Sequence, residues 1–149
     1  MAKIEIEVQI AAAYARLLSG RRLREVVKEA LRGEGSSGQV TLVITDDEGI
    51  QALNREYLGR DAPTDVLAFG AQEAAESFVA APEMEGYLGD VIVSYPRAVA
   101  QAEEQGQAVE EELNLLIVHG VLHLLGYDHA DEQQKAAMWA SQEAIVSGL

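Results

Sequence analysis

The chain contains no cysteine. That absence removes disulfide bridges, thiolate nucleophiles and sulfur-ligated metal sites, so any metal must be held by nitrogen and oxygen. It also agrees with a reducing cytosol without establishing one. A long apolar run is missing as well. The most hydrophobic segment, Leu113 to Leu125, is interrupted by histidines and falls short of a bilayer span, so no membrane association is expected. The opening MAKIEIEVQI alternates charged and apolar residues where a secretion signal would set a basic region before an apolar run; it is expected to be a strand.

Cations are scarce beyond the first part of the chain. Residues 1–60 carry nine Lys and Arg against nine Asp and Glu, whereas residues 61–149 carry two against sixteen, within a formal net charge of −14. A surface so acidic repels polyanions at long range, which disfavours a protein that grips naked nucleic acid through a broad basic footprint. The densest basic stretch, RRLREVVKEALR, mixes Arg21, Arg22, Arg24, Lys28 and Arg32 with Glu25 and Glu29. It reads either as a solvated helix face held by its own ion pairs or as an RNA-contact patch built on Arg22, Arg24 and Lys28, with Arg55 a further candidate.

Against these scarcities, the length of 149 residues suits one domain, 1–149, with a core of ordinary size. Strands are predicted at Ile4 to Ile10, Val40 to Ile44, Val66 to Phe69 and in GDVIVSY; helices are predicted at Arg22 to Leu31, Glu48 to Tyr57, after Pro96 up to Gly106, at Val109 to Leu125 and at Glu132 to Val146. Residues 70–87 read as a loop. The fold class is therefore α+β, a small mixed sheet with helices, of which the nearly all-round apolar Val109 to Leu125 is the central, buried one.

Histidine is the third scarcity, and its distribution carries the chemistry. All three lie in HGVLHLLGYDH, His119 to His129. His119 and His123 leave one face of the central helix a turn apart, and Gly126 allows the chain to turn back so that His129 can face them. A single histidine on an apolar helix is more often a hydrogen-bonded core residue than a ligand. Three out of three at spacings of four and six, with a glycine between the second and third, point instead to one ion, Zn2+ before Cu, Ni or Fe. Asp128 and Asp90 are candidates to orient the ligand imidazoles, Asp128 having N-capping as its alternative role. The spacing is similar to the H-E-x-x-H-x-x-G-x-x-H signature of metzincin proteases, so a metzincin-like site geometry is expected. The glutamate that serves as general base there is Gly120 here, which removes the proton acceptor of peptide hydrolysis.

The same stretch resembles the YbeY family of metal-dependent endoribonucleases through His119, Gly120, Leu122, His123, Leu124, Gly126, Tyr127, Asp128 and His129. The blocks PTDVLAF (Pro63 to Phe69), GDVIVS (Gly89 to Ser94) and MWASQEAI (Met138 to Ile145) extend the likeness in the same order. The resemblance implies a cytoplasmic hydrolase of mixed α and β fold. It would mature the 3′ end of small-subunit ribosomal RNA and act in ribosome quality control, with one zinc held by the three histidines. The acidic charge adds the expectation of recruitment by ribosomal proteins or assembly factors, and a 2′-OH nucleophile would leave DNA uncut. The family's arginine five residues before the proline of P-T-D-V-L is Leu58 here. If Leu58 to Asp61 is extended, Arg60 points to the same side and can supply a phosphate-binding guanidinium; otherwise it is a surface residue paired with Asp61. Two other readings stand beside the nuclease: a zinc hydrolase of peptides or other small substrates, and a non-catalytic, metal-stabilised ribosome-assembly factor.

Overall fold

Alternation places the first strand. In β1 (Ile4–Ile10), Ile4, Ile6, Val8 and Ile10 pack inward while Glu5, Glu7 and Gln9 stay exposed. The computed structural model describes residues 3–70, 86–128 and 130–149. It pairs β1 in parallel with β2 (Gly38–Thr45), and β2 in parallel with β4 (Tyr87–Ser94). A short strand β3 (Val66–Gly70) runs antiparallel along the outer edge of β4, giving the order β1-β2-β4-β3. Of the loop expected at residues 70–87, residues 71–85 lie outside the described residues.

The helices begin where side chains can satisfy their first backbone N–H groups. Ser19 caps α1 (Gly20–Gly33), Asp46 caps α2 (Asp47–Leu58), and Ser94 caps α3 (Tyr95–Gln105), which carries Pro96 in its first turn. The central helix α4 (Val109–Leu124) and the last helix α5 (Glu132–Ser147) complete the α+β domain, α5 being capped by Asp131.

Two cores flank the sheet. On one face Val40, Leu42, Ile44, Val91 and Val93 meet Leu23, Val27 and Leu31 of α1 and Leu113, Ile117 and Val121 of α4, with Met138 and Ile145 of α5 closing that side. On the other face Leu67, Phe69 and Ile92 meet Ile50, Leu53 and Tyr57 of α2. α4 approaches the sheet closely at Gly120, where a Cβ would stand 2.6 Å from Val91 Cγ1 and 3.3 Å from Val66 Cγ2. Farther along α4, Leu124 lies over Gly89, beside Gly70. No helix among the described residues is long and apolar enough to cross a membrane.

Candidate metal centre

Because α4 presents its glycine to the sheet, the histidines on either side of Gly120 in sequence are rotated off that contact. His119 and His123 emerge half-buried, with ring centroids 4.9 Å apart and planes at 75°. His119 Nδ1 lies 2.9 Å from Oε1 of Gln142, a residue of α5 that is only 3% exposed. In the tautomer that satisfies this pair, Nδ1–H donates to the amide oxygen and Nε2 carries the lone pair, which is the form an imidazole takes as a metal ligand.

The turn after His123 is tied down from two sides. Gly126 adopts φ 104, and the next residue, Tyr127, donates its hydroxyl to Glu34 Oε1 at 2.6 Å and stands 2.9 Å from Ser141 Oγ. Glu34 closes the end of α1 and Ser141 precedes Gln142 on α5. Three helices thus hold the segment between the second and third histidines. His129 itself lies outside the described residues. Among the described residues no group of three or more His, Cys, Asp or Glu is placed to hold a metal ion. Two neutral nitrogen donors on one face, one of them oriented through its second nitrogen, fit a borderline ion such as zinc and would serve a hard, oxygen-seeking ion poorly.

Several sequence-predicted residues stand elsewhere. Asp90 lies on the α2 side of the sheet, across from the histidines: it follows the pleat of Ile92 while Val91 faces α4. Its carboxylate accepts a short hydrogen bond from Tyr87, whose hydroxyl also lies 3.1 Å from Thr41 Oγ1. It therefore orients neither His119 nor His123. Burial pushes the Asp90 carboxyl up, the Tyr87 hydrogen bond opposes this, and Glu7 adds to the rise. Asp128 is exposed and does not cap α5, since Asp131 accepts from Gln134 N at 2.7 Å.

Arg60 does not follow Leu58 on an extended segment. Leu58 is the last residue of α2, Gly59 turns left-handed at φ 70, and Arg60 N closes the turn on Asn54 O at 3.2 Å. Arg60 is exposed, and the partner of Asp61 is Arg55, at 3.6 Å, rather than Arg60. Tyr57 packs on Phe69 with ring centroids 5.6 Å apart, so α2 and α4 end at the same end of β3, on opposite faces. Arg60 thus stands around the sheet edge from His123. The three α1 cations proposed for RNA contact, Arg22, Arg24 and Lys28, are held within the chain. Arg22 pairs with Glu110 at 3.0 Å, at the far end of α4 from the histidines, Lys28 pairs with Glu25 at 3.7 Å, and Arg24 Nε donates to Ile6 O at 3.3 Å.

The sequence reading passed over Gln142 and the Tyr127 anchor. Gln142 had a readable signal, because it falls on the stripe of Met138 and Ile145, and a polar residue at a core position needs a partner. Glu112, 2% exposed on α4, is a second buried carboxyl, raised by desolvation against the opposing hydrogen bond from Gln107 at 2.6 Å.

The chain is similar to known proteins over nearly its whole length. The family model described as Endoribonuclease YbeY matches residues 5–149. A protein named Endoribonuclease YbeY from Roseiflexus castenholzii is 44% identical over 151 residues, covering 99% of this chain and 94% of the relative. Another of that name, from Moorella thermoacetica, is 47% identical over 131 residues, covering 85% and 84%. The solution structure of TM1509 from Thermotoga maritima superposes with a TM-score of 0.63 at 26% identity, covering 95% of this chain and 87% of that one.

Proposed function

The chain belongs to the YbeY family of endoribonucleases, and from that premise we propose that it cuts single-stranded ribosomal RNA at a one-metal site formed by His119, His123 and His129. The work assigned to it is maturation of the small-subunit 3′ end and ribosome quality control. The observation that carries the site is the pair of half-buried imidazoles on one face of α4, with His119 oriented through Nδ1 by Gln142. His129, six residues after His123 and just past the anchored Tyr127, is the third ligand in this reading.

A bound zinc ion supplies Lewis acidity and positive charge at the scissile phosphate. Everything else falls to the chain and its substrate. Gly120 presses on Val91, so this position cannot hold a carboxylate base, and the sheet rather than the cleft lies in front of it. The chemistry then suits a substrate that brings its own nucleophile, the RNA 2′-OH, and DNA should resist cleavage. Arg60, exposed at the same end of β3, is our candidate for the phosphate contact that offsets charge building up in the transition state. Affinity for the ribosomal particle is assigned to ribosomal proteins or assembly factors in the cytoplasm, since Arg22, Lys28 and Arg32 of α1 are paired with glutamates.

Structured RNA ending in a small-subunit 3′ sequence, incubated with chelated and then zinc-reloaded protein, tests the reading. Cleavage should disappear on chelation, return on reloading, and be absent from His119→Ala, His123→Ala and His129→Ala. Equal cleavage by all three variants would overturn it.

A further inference from the structure

The sole tryptophan of the chain, Trp139, is 52% exposed on α5, although Met138 before it is buried. An α-helix turns by about 100° per residue, and three contacts fix how α5 is rotated. Met138 and Ile145 point to the core. Ser141 lies to one side of that direction, against Tyr127, and Gln142 lies to the other, against His119. Stepping back three residues from Gln142, Trp139 falls about 60° farther round on the same side, and about 4.5 Å along the axis. The indole therefore projects beside the histidine pair, on the flank of α5 away from α1. One turn earlier on this flank stands Lys135, exposed, one of two cations beyond residue 60.

We propose that Trp139 and Lys135 form a nucleotide subsite on the histidine side of α5, the indole stacking on one base of the RNA and the ammonium meeting a neighbouring phosphate. The inference rests on the endoribonuclease reading and adds to it where the substrate lies. A flat, half-exposed indole is a poor core residue and a good platform for a nucleobase, because every base offers a π-face that removes the same apolar surface from water. A lysine one helical turn away suits a strand whose phosphates alternate with its bases. In a chain of net charge −14, such a local contact can hold one strand without a general attraction for polyanions. The subsite would favour unpaired RNA, since a base inside a duplex cannot lie on the indole.

Because Trp139 is the only indole, fluorescence excited at the red edge of its absorption, where the five tyrosines do not absorb, reports on it alone. Titrating the zinc-loaded protein with a 2′-O-methyl adenosine hexamer should quench most of the emission saturably, while inorganic tripolyphosphate should leave it unchanged. With cleavable single-stranded RNA, Trp139→Ala should raise KM roughly tenfold at nearly unchanged kcat, and Trp139→Phe should recover most of the loss. Lys135→Gln should raise KM a few-fold and flatten its dependence on salt. All three variants should melt within a few degrees of the parent, as both side chains are exposed. Intact cleavage with unchanged emission at saturating hexamer, or with the parent's KM in Trp139→Ala, would overturn the subsite alone. Wild-type protein that neither binds the hexamer nor cuts RNA would overturn the endoribonuclease reading and the subsite together.

Discussion

His119 can offer an ion only one of its two nitrogens, and Gln142 selects which. Replacing Gln142 by leucine removes the acceptor for Nδ1–H and should weaken zinc binding by roughly 10- to 100-fold, measured by competition with a chromogenic chelator. Gln142→Glu keeps the acceptor and should bind at least as tightly as the parent. Two other residues set a pH dependence. The Glu112 and Asp90 carboxyls are both raised, first by desolvation, so the folded state holds their protons more tightly than the unfolded chain does. Stability from these groups is therefore greatest below the ordinary carboxylate range, about pH 4, and falls as pH rises through the raised folded values. Glu112→Gln escapes that loss. Its gain in denaturant midpoint over the parent should be near zero at about pH 4 and grow toward neutrality; a gain that shrinks with rising pH would contradict the burial argument. Gln142 and the Tyr127 anchor escaped the sequence reading because each depends on a partner from another helix, and no local spacing specifies which residues of two helices face each other.

At the scale of elements, the contact of Gly120 with Val91 makes its own test. Gly120→Ala forces a methyl group into a gap of 2.6 Å and should cost about 1–3 kcal/mol, seen as a lower melting temperature. The pairing of the His119 and His123 rings should survive if the helix shifts without unfolding. The alternating β1, the amphipathic α1 and the start of α2, with Asp46 before it, were legible because period and capping are local properties. The side of the sheet on which Asp90 stands was not. GDVIVS is buried on both faces, so its pattern lacks the alternation that would show which residues share a face. Arg60 turned on one residue: Gly59, left-handed, ends α2 and breaks the extended path that would have set Arg60 in register with Leu58. The central helix was readable in both extent and burial, and with it two of the three histidines of the candidate centre.

Over the whole molecule, the acidic balance and the intramolecular pairing of most α1 cations predict a nuclease that neutralises few phosphates. Its KM for RNA should therefore rise only shallowly with salt, with a log–log slope corresponding to roughly one or two displaced counterions. A steep slope would point to a basic footprint that the exposed cations do not provide. Neutralising Arg21, Arg22, Arg24, Lys28 and Arg32 together should leave cleavage of short RNA largely intact. Reduced capture of assembling ribosomal particles by that variant would assign α1 to docking. The central claim is that three imidazole nitrogens meet at one ion. X-ray absorption at the zinc edge, on protein loaded to saturation, tests it most directly. The account predicts one ion per chain bonded to three histidine nitrogens, falling to two in His129→Ala; a saturated ion with an oxygen-only shell, or one unchanged by loss of His119 or His123, would contradict it.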